Sequence, residues 1–343
     1  MLYSNVCLHS FGHELPPGII TSTELEERLA PVYDRLKLPA GRLELMSGIR
    51  ERRLWEPGTR PSKAAALAGK KALNTTKIPR EDIGCMIFTS VSRDMMEPAT
   101  ATFIHNHLKL KPECQIFDLS NACLGFLNGM IMLANMIELG QVKAGLIVAG
   151  ETAEDLLEST INHLLTDKSL TRKTIKHTFA SLTIGSGAVA LVMSDKRYTD
   201  SGHYLKGGVC RANTSHNNLC QGAMSGTGTI MATDSEELLK RGIETAHHTW
   251  NDFTKEVGWD AEIIDHFFCH QVGRAHAAML FQTLGLEPEK NFETLATLGN
   301  VGSVSAPITM ALAIKEGIIT NNQLAAILGI GSGINSLMLG IDW

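Results

Sequence analysis

The stretch that decides the fold runs from residue 117 to residue 126 and reads FDLSNACLGF. An apolar strand ends at Leu119, a turn of small and polar residues follows, and an apolar helical pattern begins after Cys123. A strand that leads through a tight turn into a buried helix is typical of an α/β protein. The same stretch predicts that a cysteine lies at the N-terminus of a helix.

Apolar runs alternate with helical patterns on both sides of this stretch, which also predicts an α/β fold. The predicted strands cover residues 85–90, 115–119, 144–150, 188–193, 267–269 and 325–330. The predicted helices include residues 62–73, which follow a serine cap, and residues 23–36, where Thr23 and Glu26 have the spacing of a capping box.

An internal repeat indicates two related halves. Asn121 and Asn300 each precede a helical pattern, and in each case the following strand ends 29 residues after the asparagine. We therefore expect halves of residues 1–195 and 196–343 about a pseudo-twofold axis, with an insertion at about residues 156–177. A chance similarity between two α/β units stays possible at this point.

The composition restricts the partners and the compartment. The chain has 343 residues, a net charge of −5 and no long basic run, so nucleic acid is not expected as a partner. It has no apolar run of about 20 residues and no leader-like start, so we expect a cytoplasmic protein without a membrane span. The seven cysteines are scattered and odd in number, which favours reduced thiols.

Cys123 is the first candidate catalytic residue. The N-terminus of a helix presents free N–H groups and the positive end of the helix dipole. We therefore expect a lowered thiol pKa and a nucleophilic thiolate. The alternative is a buried structural cysteine at a tight helix start.

His270, Asn300 and Ser332 are the other candidates. His270 ends an apolar strand, where an imidazole can move a proton, although a structural histidine is the simpler interpretation. A zinc site with His266 and Cys269 is disfavoured because alternate strand residues face opposite ways. Asn300 suits either a helix cap or an oxyanion donor. The glycines at 329, 331 and 333 predict a close-approach turn that brings the Ser332 N–H near a substrate carbonyl.

Together these segments resemble the ketoacyl-synthase-III branch of the thiolase superfamily along nearly the whole chain. Within it they are most similar to enzymes that join two fatty acyl-CoA molecules head to head at the start of bacterial long-chain olefin synthesis. The matching stretches are residues 47–53, 89–94, Glu97 with Pro98, 121–124, 185–188, 206–208, 218–222 and 328–335.

The resemblance implies a five-layered αβαβα fold and a homodimer formed through the N-terminal half. It implies a catalytic triad of Cys123, His270 and Asn300, with one oxyanion hole from the N–H groups of Cys123 and Ser332 and another from His270 with Asn300. It also implies that Glu97 acts as a base in the partner subunit. Around the cysteine helix we expect an acyl channel formed by Leu124, Phe126, Leu127 and Met130, whose alternative role is core packing.

The expected reaction is a non-decarboxylative Claisen condensation of two long-chain acyl-CoA molecules to a 2-alkyl-3-oxo acid, with no cofactor and no metal. Decarboxylative condensation with malonyl-ACP, as in β-ketoacyl-ACP synthase III, is the alternative, and Glu97 favours the first because an intact acyl-CoA needs a base for its α-proton. A papain-like hydrolase is disfavoured, because the sequence around Cys123 lacks the signature of a papain-type cysteine. A catalytically inactive acyl-binding protein is a further alternative. Acyl carrier protein and downstream olefin-pathway enzymes are further possible partners.

Overall fold

A computed structural model describes residues 1–225 and 228–343. Thirteen strands lie in these ranges: β1 Val6–Glu14, β2 Gly18–Thr21, β3 Glu51–Leu54, β4 Ile83–Phe88, β5 Gln115–Asp118, β6 Ala144–Glu151, β7 Gly187–Asp195, β8 Tyr204–Ala212, β9 Cys220–Ser225, β10 Gly228–Thr233, β11 His266–Cys269, β12 Leu324–Gly331 and β13 Asn335–Asp342.

Twelve α-helices lie in the same ranges: α1 Ser22–Arg28, α2 Ala30–Leu36, α3 Arg42–Ser47, α4 Pro61–Thr75, α5 Thr100–Leu108, α6 Gly125–Glu138, α7 Glu154–Thr166, α8 Lys176–Phe179, α9 Ser235–Val257, α10 Arg274–Leu284, α11 Leu295–Leu298 and α12 Ser305–Lys315. All six strands predicted from the sequence are present, each within two residues of the expected limits. Among the described residues, no helix is both long enough and apolar enough to cross a bilayer.

The strands of the large sheet follow the order β11-β12-β13-β8-β1-β7-β6-β4-β5. The order on the two sides of the β1–β8 contact is equivalent: β4 pairs in parallel with β6, and β11 pairs in parallel with β12, while β7 and β13 are antiparallel to their neighbours. The connections repeat as well. The first half follows the order β1-α4-β4-α5-β5-α6-β6-β7, and the second half follows the order β8-α9-β11-α10-α12-β12-β13. The expected pseudo-twofold repeat is therefore present, and we propose to divide the halves between residues 195 and 196.

Helices form three layers around the two halves of the sheet. α4 packs on β1, β6 and β7, and α9 packs on β8 and β13, so these helices form the two outer layers. Between them, α6 contacts β4, β6 and β7 of one half and β13 of the other, while α12 contacts β11 and β12 as well as β1 and β7. This is the five-layered thiolase-like arrangement expected from the sequence. Its central helical layer lies in the largest apolar cluster.

The segment predicted as an insertion forms helices that pack into the fold. α7 buries Leu157, Ile161 and Leu164 in an apolar cluster shared with α1 and α2. α7 and α8 also contact β10, and together these elements cover one side of the active-site cavity described below.

The N-terminal helical region differs from the prediction. Its capping box is formed by Thr21 and Glu24, two residues before the predicted pair: the Glu24 N–H donates to the Thr21 hydroxyl (3.1 Å), and the Thr21 N–H donates to the Glu24 carboxylate (2.7 Å). The single predicted helix is also divided after Arg28, because Pro31 has no N–H with which to continue the ladder of hydrogen bonds.

Central-layer packing predicts a large loss of stability for Phe126→Ala. The Phe126 side chain is fully buried on α6, so its removal should lower the free energy of unfolding by about 3–5 kcal/mol. Met132→Ala on the same helix is the control, because Met132 is 43% exposed and its removal should change stability by only about 0.5 kcal/mol. Urea unfolding followed by circular dichroism measures both. Equal effects of the two substitutions would contradict the central position of Phe126.

Candidate active site

Cys123 lies in the turn between β5 and α6. The turn is closed by the Leu124 N–H, which donates to the Asn121 carbonyl (2.9 Å), and Ala122 takes a left-handed conformation with φ of 46°. α6 begins at Gly125, two residues after the cysteine. The prediction of a cysteine beside a helix N-terminus is therefore confirmed.

A cavity of about 1320 Å³ brings the predicted groups together. Cys123, His270, Asn300 and Ser332 all line it, although they come from four separate segments and from both halves of the chain. Pockets for a single drug-sized ligand usually measure about 300–1,000 Å³, so this cavity has room for a larger ligand or for two.

His270 follows directly after β11. Its backbone N–H donates to the Leu328 carbonyl (2.9 Å), which continues the pairing of β11 with β12 and fixes the residue at the cavity. Within the described residues, neither ring nitrogen has a hydrogen-bond partner. Burial, reinforced by the nearby His276, lowers the pKa of His270 to about 3. The imidazole is therefore neutral at physiological pH and has one nitrogen able to accept a proton and one able to donate.

The side chain of Asn300 is oriented by its own turn. Its amide oxygen accepts the N–H of Gly302 (3.0 Å) and the hydroxyl of Ser305 (3.4 Å). These bonds assign the oxygen, so the amide nitrogen remains as a donor for a ligand in the cavity. The main chain of Asn300 is held by the Thr183 carbonyl, which accepts its N–H at 3.0 Å.

The glycine turn before Ser332 approaches the cysteine closely. A Cβ atom on Gly329 would lie 2.6 Å from the side chains of Leu124 and Leu127. A Cβ on Gly331 would meet Leu124 at 3.1 Å and Cys123 at 3.6–3.7 Å. A side chain at 329 would require the Leu124 and Leu127 side chains to move, so glycine suits this close approach. The predicted close-approach turn is present beside the cysteine, and Ser332 lies in it.

The expectation of a lowered thiol pKa at Cys123 is wrong. Burial raises this pKa to about 12, and the negative charge of Glu151 together with the Cys220 thiol raises it further. Loss of solvation and a neighbouring carboxylate both disfavour the thiolate, and they outweigh the helix terminus. In the unliganded cavity Cys123 is therefore a protonated thiol.

The cavity residues that were not identified from the sequence as functional include Glu151, Cys220 and His276. Glu151 ends a strand that is otherwise apolar and fully buried, and a charged residue in that position is a signal that could have been used. Cys220 and His276 offered no such signal, because nothing in the sequence places their segments against Cys123.

Glu97 and the expected acyl-channel residues lie outside the lining of the cavity. Glu97 is exposed at the end of a loop, residues 91–97, whose Val91, Arg93 and Met95 do line it. Leu124, Phe126, Leu127 and Met130 are almost completely buried in the central core, because Leu124 directly precedes α6 and the other three occupy its inward face. Their place in an acyl channel stays a prediction.

The residues considered for zinc do not form a metal site. The ring of His266 is hydrogen-bonded to the Gln323 side chain (3.2 Å), and Cys269 is buried in the outer core. In residues 1–225 and 228–343, no three histidine, cysteine, aspartate or glutamate side chains are grouped in a way that could hold a metal ion.

Comparison with known proteins identifies the family. Residues 117–206 match the family of 3-oxoacyl-[acyl-carrier-protein] synthase III, and residues 254–343 match the C-terminal family of the same enzyme. Over the full length of both chains, the protein is 41% identical to the acyl-CoA:acyl-CoA alkyltransferase of Shewanella oneidensis and 38% identical to that of Xanthomonas campestris.

Solved structures agree with this result. Cerulenin-bound OleA of Xanthomonas campestris superimposes with a TM-score of 0.96 at 38% identity, covering 100% of this chain and 98% of that one. The chain belongs to the OleA branch of the 3-oxoacyl-[acyl-carrier-protein] synthase III family. This branch is more similar to it than the synthases themselves, since β-ketoacyl-[acyl-carrier-protein] synthase III of Natranaerobius thermophilus is 26% identical.

The pKa of Cys123 predicts how this OleA-branch site reacts with an alkylating reagent. Below its pKa, the thiolate fraction of a thiol increases about tenfold per pH unit. Because the pKa is raised to about 12, alkylation of Cys123 by iodoacetamide should accelerate from pH 6 to pH 9 without a plateau. Peptide mass mapping follows Cys123, and a small-molecule thiol, whose profile flattens above about pH 8.5, is the control. A plateau below pH 8 would show a thiolate stabilised by the helix N-terminus instead.

Proposed function

We propose that the protein joins two long-chain acyl-CoA molecules by non-decarboxylative Claisen condensation to a 2-alkyl-3-oxo acid. The observation that carries this proposal is the convergence of Cys123, His270 and Asn300 on one large cavity. These three groups supply a nucleophile, a proton acceptor and an oxyanion donor, which are the parts that acyl transfer requires.

In the first step the Cys123 sulfur attacks the thioester carbonyl of one acyl-CoA. The thiol proton passes to the neutral imidazole of His270 during the attack, since neither the thiolate nor the imidazolium is stable alone in this buried site. The N–H groups of Cys123 and Ser332 stabilise the oxyanion. The carbon–sulfur bond to CoA then breaks, CoA leaves with the proton, and acyl-Cys123 remains.

In the second step a base removes an α-proton from one of the two acyl groups. The resulting enolate is stabilised by the donors of an oxyanion hole and attacks the carbonyl of the other group. The new carbon–carbon bond forms as one thioester bond breaks, and hydrolysis of the remaining thioester gives the 3-oxo acid. In the proposed mechanism His270 with Asn300 forms the second oxyanion hole.

Glu97 of the partner subunit is the proposed base, which makes the working unit a homodimer formed through the N-terminal halves. Its exposure in a single chain and its position at the end of the cavity-lining loop support this proposal. OleA of Xanthomonas campestris has been solved with substitutions at a cysteine and at a glutamate. Those two positions have the same sequence separation as Cys123 and Glu97.

Long-chain acyl-CoA is the proposed substrate and no cofactor is assigned. One OleA structure contains lauric acid and lauroyl-CoA and superimposes on this chain with a TM-score of 0.95, which supports the choice. The apolar Val91, Met95 and Met96 beside the cavity suit an alkyl chain. All seven cysteines are free thiols, in keeping with a cytoplasmic protein. Acyl carrier protein and downstream olefin-pathway enzymes are proposed as further partners on the resemblance alone.

The proposed reaction predicts product formation from a single substrate. The protein incubated with lauroyl-CoA and no malonyl thioester should release CoA and form the condensed 3-oxo acid or the ketone derived from it, detected by mass spectrometry. Cys123→Ala is the control, because it lacks the sulfur that carries the acyl group, and it should show neither an acyl-enzyme nor product. Product that appears only when malonyl-ACP is added would establish the decarboxylative reaction in place of this one.

The role of Glu97 predicts that the two steps can be separated. Glu97→Gln should still acylate Cys123 and release CoA in one burst, because thioester exchange does not use this carboxylate. Condensation should then fall by roughly 10²-fold or more, the range for loss of a positioned general base. Quenched-flow measurement of CoA and intact-mass measurement of the acyl-enzyme separate the two events.

Mixed dimers test the subunit arrangement. Dimers formed from Cys123→Ala and Glu97→Ala chains would contain one site with both groups, so activity should return above the level of either variant alone. Absence of this recovery in verified mixed dimers would place Glu97 outside the partner's site. Normal turnover by Glu97→Gln would remove it from the mechanism altogether.

A further inference from the structure

Glu151 is a buried carboxylate in the active-site cavity that the proposed mechanism does not use. It is the last residue of β6, only 5% of its surface is exposed, and it lines the cavity beside Cys123. A buried carboxylate is costly unless hydrogen bonds compensate it, so its surroundings indicate what it does.

Three backbone N–H groups donate to this carboxylate. One oxygen accepts the N–H of Val91 (2.9 Å) and the N–H of Ser303 (3.2 Å), and the other oxygen accepts the N–H of Ser92 (3.0 Å). Val91 and Ser92 begin the 91–97 loop that ends at Glu97. Ser303 follows Asn300 in the turn that orients the Asn300 amide. The carboxylate therefore fastens two segments of the site to the end of β6.

The same network reaches the helix that follows Cys123. The N–H of Phe126, in the first turn of α6, donates to the Ser303 hydroxyl at 2.8 Å. The far side of the 91–97 loop is held separately, because the carboxylate of Asp94 accepts the N–H (2.8 Å) and the hydroxyl (2.6 Å) of Ser62 on α4. Glu151 is thus the point where the nucleophile's helix, the Asn300 turn and the Glu97 loop are joined.

The charge of Glu151 also acts on the nucleophile. When Glu151 is ionised, its negative charge raises the Cys123 pKa in addition to burial, and the Cys220 thiol adds a smaller contribution. Burial raises the pKa of Glu151 itself, and the hydrogen bonds from Ser92, Val91 and Ser303 oppose that rise. The two cavity histidines, His270 and His276, are neutral because burial lowers the pKa of both, so they do not offset this charge.

We propose that Glu151 is a positioning residue for the condensation: its carboxylate holds the 91–97 loop and the Asn300 turn in place beside Cys123. The inference rests on the proposed function, because it takes Cys123 as the nucleophile and Glu97 as the base. Glutamine in this position would lose the charge, and one of the two acceptor oxygens would be replaced by a donor nitrogen.

Glu151→Gln should therefore change two measurements in opposite directions. Alkylation of Cys123 by iodoacetamide at pH 8 should become faster than in the wild type, by about tenfold for each unit by which the thiol pKa falls. The kcat for condensation of lauroyl-CoA should fall by roughly tenfold to 10²-fold, while the first acyl group is still transferred to Cys123.

Glu138→Gln is the matched control. Glu138 lies at the other end of α6, away from the cavity, and its carboxylate also accepts two backbone N–H groups, those of Ser4 (3.2 Å) and Asn5 (2.9 Å). Loss of this carboxylate should leave both the alkylation rate and kcat unchanged. Thermal unfolding of each variant confirms that folded proteins are compared.

Glu151→Asp keeps the carboxylate but shortens the side chain, so it distinguishes an effect of charge from an effect of side-chain length. It also replaces Glu151→Gln as the test variant if Glu151→Gln does not fold. It keeps the charge, so alkylation should stay at the wild-type rate, but it is shorter and should still lower kcat. Wild-type kcat in Glu151→Asp or in folded Glu151→Gln would overturn the proposal. Failure of the wild type to condense lauroyl-CoA would instead refute the proposed function, while the alkylation result would still report the effect of Glu151 on the thiol.

Discussion

Burial of two helices between the two halves of the sheet is the constraint on which the active site depends. α6 and α12 contact strands of both halves, so the faces of these helices that meet the sheet must be apolar and are removed from water. Both helices begin close to each other, as the bond from the Phe126 N–H to the Ser303 hydroxyl shows. The residues just before them, Cys123 and Asn300, are therefore brought to one cavity by the packing of their helices.

This burial also determines the electrostatic state of the site. Desolvation raises the pKa of the Cys123 thiol and lowers that of the His270 imidazole, so both groups are neutral before substrate binds. A neutral pair costs less to bury than an ion pair. In the proposed reaction, charge develops only after substrate binds, and the turn at residues 329–333 and the amide of Asn300 are the proposed donors. Burial raises the pKa of Glu151 as well, and the hydrogen bonds from three backbone N–H groups oppose that rise.

The sequence predicted much of the architecture because local patterns record burial. Apolar runs such as those of β6 and β12 have nearly the same limits in the structure as in the prediction, since strands buried on both faces must be apolar along their length. A strand with mixed composition, β1, was missed because histidine and serine residues interrupt its apolar pattern. The capping box was displaced by two residues because both threonines, Thr21 and Thr23, fit the same motif with a glutamate three residues later.

For this protein the sequence by itself determined the α/β class, the repeat of two halves, and a cysteine, a histidine and an asparagine at the ends of buried elements. Each of these follows from the order and polarity of neighbouring residues. Only the tertiary structure decided that the thiol is protonated, that Glu151 joins the segments of the site, and that Leu124, Phe126, Leu127 and Met130 pack in the core. These properties depend on desolvation and on hydrogen bonds between residues as distant in the chain as Val91 and Ser303, which share a carboxylate only after the chain has folded.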